Sequence, residues 1–325
     1  MLTKKEVSDF FYSMRGIAII SVAFAHSLSL NNVIYQRIGA VIGLIGVPVF
    51  IFCSGFWFKH DTFANLIKKL SNSIVIPWMF WGVFAFMVSY ILGSEELNIK
   101  SFFLFILGHG TWLYYIPVYI LLKLLFNISS NTFLLFLLIA VSLLSNFLSY
   151  YSSFYINDIF LTPWQNPLNW VGFFSLGILV RRFKFFNLLL NQNKGIKIII
   201  LIISVLLSLM LVLASHKINY WNPIAIILEY FIIFSILIVT SLIYKNKVLI
   251  LLGCNSLLIY FLHMQLGIGF ANILYKYIEI PEFFILLTKP FVVLSITYLL
   301  ICVLRHLFMM FRWNRLLPML GIFNK

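Results

Sequence analysis

Ten runs of mostly apolar residues, many of them close to twenty residues long, set the limits on how this chain can fold. They cover roughly residues 11–30, 37–58, 74–93, 111–126, 132–150, 168–183, 196–215, 223–243, 248–275 and 284–311. A helix needs about 20 apolar residues to cross the ~30 Å hydrocarbon core of a bilayer. No water is available there, so a lipid-exposed run must satisfy its own backbone as a helix. Of the 325 residues, 62% are hydrophobic and only 10% are charged, more apolar surface than a soluble chain of this size can bury. The expected fold is all-α: a polytopic membrane protein of about ten transmembrane helices, forming a single domain over residues 1–325. The fourth run is the weakest, being short and holding Pro117 and Lys123. A further run, Phe102 to Leu107, is too short to span and is expected to lie at the interface or re-enter.

A net charge of +14 raises the question of nucleic acid. The basic residues, however, sit between apolar runs, where they set topology, so no nucleic-acid partner is expected. With the N-terminus in the cytosol, seventeen of the 23 lysines and arginines fall inside. Five fall outside, Arg37, Lys100, Lys217, Lys276 and Lys289, and Arg15 lies within the first run. That asymmetry predicts two cytosolic termini, in agreement with an even number of spans, and a multi-pass protein of the plasma membrane. Connections between runs are short, so no extracellular domain is expected. Cys53, Cys254 and Cys302 all lie in apolar runs, which suggests neither a disulfide framework nor a zinc site.

The first run carries an arginine and a histidine, Arg15 and His26. Eleven residues at 100° each make three turns plus about 20°, so both lie on one helix face, about 16 Å apart along the axis. A fixed cation and a titratable base on one stripe of a buried helix are costly and are usually kept for function. The competing reading is that Arg15 snorkels to the headgroups and His26 is a satisfied core residue. Lys4 and Lys5 followed by Ala23-Phe24-Ala25 also resemble a signal peptide, but Arg15 interrupts its apolar core and no soluble domain follows. His26 and His263 each lie fifteen residues beyond the inner start of their runs, about 22 Å from the cytosolic surface. Glu229 falls about 21 Å from that surface, counted from the outer start of its run. These three ionisable groups are expected at one level, above Arg15.

An arginine followed eleven residues later by a histidine in a first transmembrane helix resembles the acyltransferase-3 family of integral membrane O-acyltransferases. The run Gly46 to Phe56, ending in Ser54-Gly55-Phe56, is similar to that family's second-helix signature. Lys68-Lys69 followed by Ile76-Pro77-Trp78 resembles its basic turn into a proline-started third helix. Trp112-Leu113-Tyr114 is similar to its tryptophan motif, and Gly253-Cys254-Asn255-Ser256 with Tyr260 and His263 to its late Gly-Asn-Ser…Tyr…His segment. The pattern departs from the family before the third helix, where an arginine is usual and Ser71 to Ile74 stand here. Any phosphate grip there falls to Lys68 and Lys69. Each motif alone has a plainer use. Ser54-Gly55 suits close helix packing, Pro77 a helix start, Trp112 and Tyr114 an aromatic belt, and the lysine pair a topology signal.

The resemblance implies an enzyme that binds no cofactor and takes acyl-CoA, acetyl-CoA above all, as co-substrate from the cytosol. The acyl group would go to a hydroxyl of a cell-surface or lipid-linked sugar or polysaccharide. Arg15 suits coenzyme A phosphates through its fork of donors. A histidine, with a reference pKa of about 6.5, suits a general base. His26 is the expected base, and Glu229 or His263 would orient it. Ser54, Lys68, Lys69, Trp112, Tyr114 and Tyr260 are the remaining candidate substrate contacts. The competing class is a transporter or polysaccharide exporter, since proton-coupled carriers also bury histidine and glutamate. No internal repeat supports the inverted-repeat form of that class.

Overall fold

The structure is a computed structural model that describes residues 3–28, 31–151, 162–185, 193–214, 218–278, 280–311, 317, 320 and 321. Among these residues there is no strand, and each of the ten apolar runs falls on helix. The chain is an all-α polytopic membrane protein.

Helix α1, Lys4–Ser27, opens with a capping box in which Thr3 and Glu6 satisfy each other's backbone N–H groups. Helices α2, Val33–Gly43, and α3, Gly46–Phe56, meet at a turn through Leu44 and together form one span. Helix α4, Phe63–Leu70, passes through a π turn, Ser71–Val75, into α5, Ile76–Ile91. The cause of the π turn is local. Pro77 has no N–H to give to the carbonyl four residues back, that of Ser73, and the N–H of Ile76 instead reaches Ser71, five residues back. The run at 102–107 forms a short helix, α6, Ile99–Ile106. A 3₁₀ turn, Trp112–Tyr114, leads into α7, Tyr115–Ile128. There follow α8, Thr132–Tyr151, α9, Pro167–Arg182, α10, Lys194–Ala214, and α11, Pro223–Ile243.

The run at 248–275 is broken. It comprises α12, Lys247–Cys254, α13, Ser256–Leu262, a π turn, His263–Ile268, and α14, Gly269–Lys276. The last helix, α15, spans Glu282–Met310. Eight helical segments among the described residues are long and apolar enough to cross a membrane. The fourth and sixth runs form shorter helices, Trp112–Ile128 and Pro167–Arg182.

Helix α1 is the central post. It packs against α2, α3, α11, α12 and α15, and Phe10, Met14, Ala18 and Ile19 are fully enclosed. Its contact with α12 is backbone on backbone. A Cβ on Gly16 would strike the Leu249 carbonyl, and one on Gly253 would strike that of Tyr12. Two glycines therefore permit a close helix crossing at the central post. Helices α8 and α10 lie outermost and turn apolar faces to the surroundings, as lipid-facing helices do.

Contacts between helix ends sort into two groups. At one end Glu6 meets Tyr244 and Lys245, Arg181 donates to the Phe56 and Phe58 carbonyls, and Arg182 donates to Thr132. At the other, Glu282 accepts from the Asn31 and Asn32 backbone, Arg37 donates to the Val212 carbonyl, and Gln165 donates to that of Leu107. Each contact joins ends that alternate crossing places on the same side.

Candidate active site

Arg15 and His26 lie on the same unbroken helix, so the eleven-residue spacing holds them on one face, about 16 Å apart. Beside that face is a cavity of about 500 Å³. Arg15 and Tyr12 line it from α1, Ser54 from α3, Ser73 from the first π turn and Tyr115 from α7. Tyr260 lines it from α13. Along α1 the lining extends to Val22, one helical turn before His26. Gly16 and Gly253 bring α12 near enough to form the opposite wall, with Ile250, Leu251 and Cys254. A second cavity of about 300 Å³ lies against Ser8, Phe11, Tyr12 and Trp57, and Arg15 borders both.

Above the cavity the two histidines meet, with ring centroids 5.4 Å apart. His263 is buried and opens the second π turn. π turns of this kind recur at functional sites. Its Nδ1 lies 2.7 Å from the Tyr260 carbonyl. A carbonyl only accepts, so Nδ1 carries the proton and donates it, and the Nε2 lone pair is left free. That Nε2 has no partner among the described residues. His26 makes no protein hydrogen bond among the described residues, and the residue is exposed. One histidine is thus locked in a tautomer by its own helix, and the other stands beside it with room for a reactant.

The remaining candidates divide. Tyr260 lines the cavity and donates its hydroxyl to the Trp112 carbonyl. Trp112 is buried, with its ring edge-on to His263 at 6.4 Å. Tyr114 is also buried and stacks on Trp170. Neither residue stands in an exposed aromatic belt. Gly108 shapes the loop that delivers them: it has φ of +85°, and a Cβ there would strike the Tyr114 backbone. Ser54 donates to the Phe50 carbonyl at 2.8 Å while lining the cavity, and Gly55 beside it packs on the α9 backbone at Phe174. This one pair therefore serves both the cavity and the packing.

Glu229, Lys68 and Lys69 lie apart from the histidine pair and the cavity lining. Glu229 is buried and near enough to Tyr114, Tyr220 and Tyr230 to act on them electrostatically, and among the described residues its Oε1 is unpartnered and no hydrogen bond joins it to either histidine. A depth estimate leaves helix rotation undetermined, and rotation decides which groups a side chain meets. Lys68 and Lys69 are exposed and lie off the cavity. Lys69 is hydrogen-bonded to Asp61, and that bond holds the Asp61 carboxyl below its ordinary range. Two residues that the sequence reading assigned only to topology, Lys247 and Arg305, do line the cavity. Their charge was legible in the sequence, but their place on the wall depends on the Gly16–Gly253 crossing and on where α15 docks.

No curated protein and no solved structure matches the chain. The model of the acyltransferase-3 family, described as an acyltransferase domain, matches residues 10–317. With that match over nearly the whole chain, the protein belongs to the acyltransferase-3 family and is a multi-pass membrane acyltransferase.

Proposed function

We propose that the protein moves an acyl group, acetyl being the simplest, from cytosolic acyl-CoA to a hydroxyl of a cell-surface or lipid-linked sugar at the plasma membrane. The observation that carries this reading is the line from Arg15, along the cavity, to the His26–His263 pair. A donor with a charged head and a slender thioester arm fits that line, its phosphates at Arg15 and its reactive carbon toward Val22 and Tyr260. The acceptor hydroxyl meets the open face of His26. His26 takes its proton as the oxygen attacks the thioester carbonyl. The tetrahedral adduct collapses, the carbon–sulfur bond breaks, and the proton passes to the departing thiolate. The products are an ester and free coenzyme A. His263 cannot donate to His26 through Nε2, because its single proton is committed to the Tyr260 carbonyl. Its role is to accept, either from a protonated His26 or from the incoming hydroxyl.

The test is reconstitution of the purified protein with radiolabelled acetyl-CoA and envelope glycans, paired with mass spectrometry of those glycans in cells with and without the gene. Label transfer to glycan, with ester groups that vanish from cells lacking the gene, is the expected result. No thioester consumption with any acyl-CoA offered would overturn it.

Arg15→Ala should weaken donor use while the protein still inserts, and Arg15→Lys should restore only part, because lysine lacks the two-pronged fork. Unchanged donor KM and kcat in Arg15→Ala would reduce Arg15 to a topology residue.

A further inference from the structure

The cavity wall has a one-sided charge. Three of its described residues are charged, Arg15, Lys247 and Arg305, all are cationic, and none of the others is acidic. They come from three separate elements, α1, the start of α12 and the inner part of α15. None of the three makes a hydrogen bond or an ion pair with protein among the described residues, where the only ion pairs are Lys69–Asp61 and Lys245–Glu6. Arg305 is only partly accessible, and its Nε is fully enclosed without an acceptor among the described residues. An enclosed guanidinium N–H left unpaired is costly unless something supplies the acceptor. Cations so placed suit an anion with several oxygens, as a phosphate ester has. The lysines that stood in for the absent third-helix arginine lie off this wall, and Lys69 is occupied by Asp61.

We infer that Arg305 and Lys247 join Arg15 as a three-point anion site at the inner end of the cavity, holding the phosphates of the acyl donor. This rests on the reading of the protein as an acyl-CoA-dependent transferase. Arg305 takes the part that sequence pattern gave to Lys68 and Lys69, from the opposite end of the chain. The phosphate of an anionic lipid headgroup has the same chemistry. The cavity's continuation from this site toward Tyr260 favours the donor, whose arm needs that room.

The test uses the full chain in phosphatidylcholine nanodiscs, with free coenzyme A titrated by calorimetry at two salt concentrations. Wild type should bind, and more weakly at high salt. Arg305→Gln should bind about ten- to a hundredfold more weakly and lose much of the salt dependence. Lys247→Gln should lose less, and Arg305→Lys should recover part. Lys194→Gln, a charge change at the start of the outlying helix α10 and off the cavity lining, should bind as wild type does. Thermal midpoints within a few degrees of wild type show that the variants are folded. A folded Arg305→Gln protein with wild-type affinity for coenzyme A overturns the inference and leaves the transferase reading intact. Wild type that binds no coenzyme A, and transfers no acyl group, overturns both. Coenzyme A affinity abolished by adding phosphatidylglycerol assigns the site to lipid and overturns the inference alone.

Discussion

On the proposed function the two histidines divide the work at the scale of single side chains. His263 is fixed by its own helix through Nδ1, and His26 presents an accessible ring 5.4 Å away. A positioned general base is worth about 10²–10⁴ in rate. His26→Ala should therefore lower kcat at least about 10²-fold, with expression and coenzyme A affinity retained. His263→Ala should cost less, as expected of a residue that accepts from or positions the base. Steady-state turnover of the two purified variants tests the order. A folded His26→Ala protein with near-wild-type turnover would move the base to His263. Much of this site could be read from the sequence, because Arg15 and His26 share one helix and helical geometry fixes their relation. Glu229 shows where that reasoning stops. Its depth followed from counting residues, but its facing depends on how α11 is rotated, which only packing sets.

Helix breaks separate what the runs predicted from what forms. The apolar run at 248–275 carries no sequence sign of a π turn at His263, yet the turn is what aims that ring. The other π turn was partly legible, since Pro77 must disrupt bonding to the turn before it. The α1–α12 crossing is the element on which the cavity depends. Gly16→Val would drive a side chain into the Leu249 backbone, which cannot rotate aside as a side chain can. Overpacking of this kind costs about 1–3 kcal/mol or more. The variant should melt lower and bind coenzyme A less well. Gly269 offers a control: a Cβ there meets nothing within 4 Å, so Gly269→Ala should hold or slightly raise the melting point. Thermal unfolding in one detergent compares the two. Equal midpoints for Gly16→Val and wild type would show that the crossing tolerates separation.

For the whole molecule, charge asymmetry and helix-end contacts point the same way. Seventeen basic residues lie on one side of the alternating map and five on the other. Reporter fusions after Lys197 and at Lys325 should both read as cytosolic. An external signal at either would remove one crossing and invert everything beyond it, including the side from which Arg305 is reached. All-α polytopic architecture was legible because lipid leaves the backbone few choices. The cavity was not, because it is a gap between helices whose distances no single run encodes.

The cavity has a consequence for how a reaction of this kind deals with the membrane's function as a seal. Its described lining ends one turn short of His26, and its cations sit at the opposite end. A carrier must swing its site from one compartment to the other, and its rate then answers to gradients and voltage. On the proposed function only the acyl arm of the donor advances, while its charged nucleotide stays anchored at these cations and leaves by the side from which it came. The barrier need never open, so turnover in sealed vesicles should be electrically silent. Collapsing the proton gradient and the membrane potential with ionophores should leave the rate of ester formation unchanged, and the spent thiol should collect entirely on the donor's side. A rate that fell with the potential would mean that the helices around α1 move during turnover, as those of an exporter must.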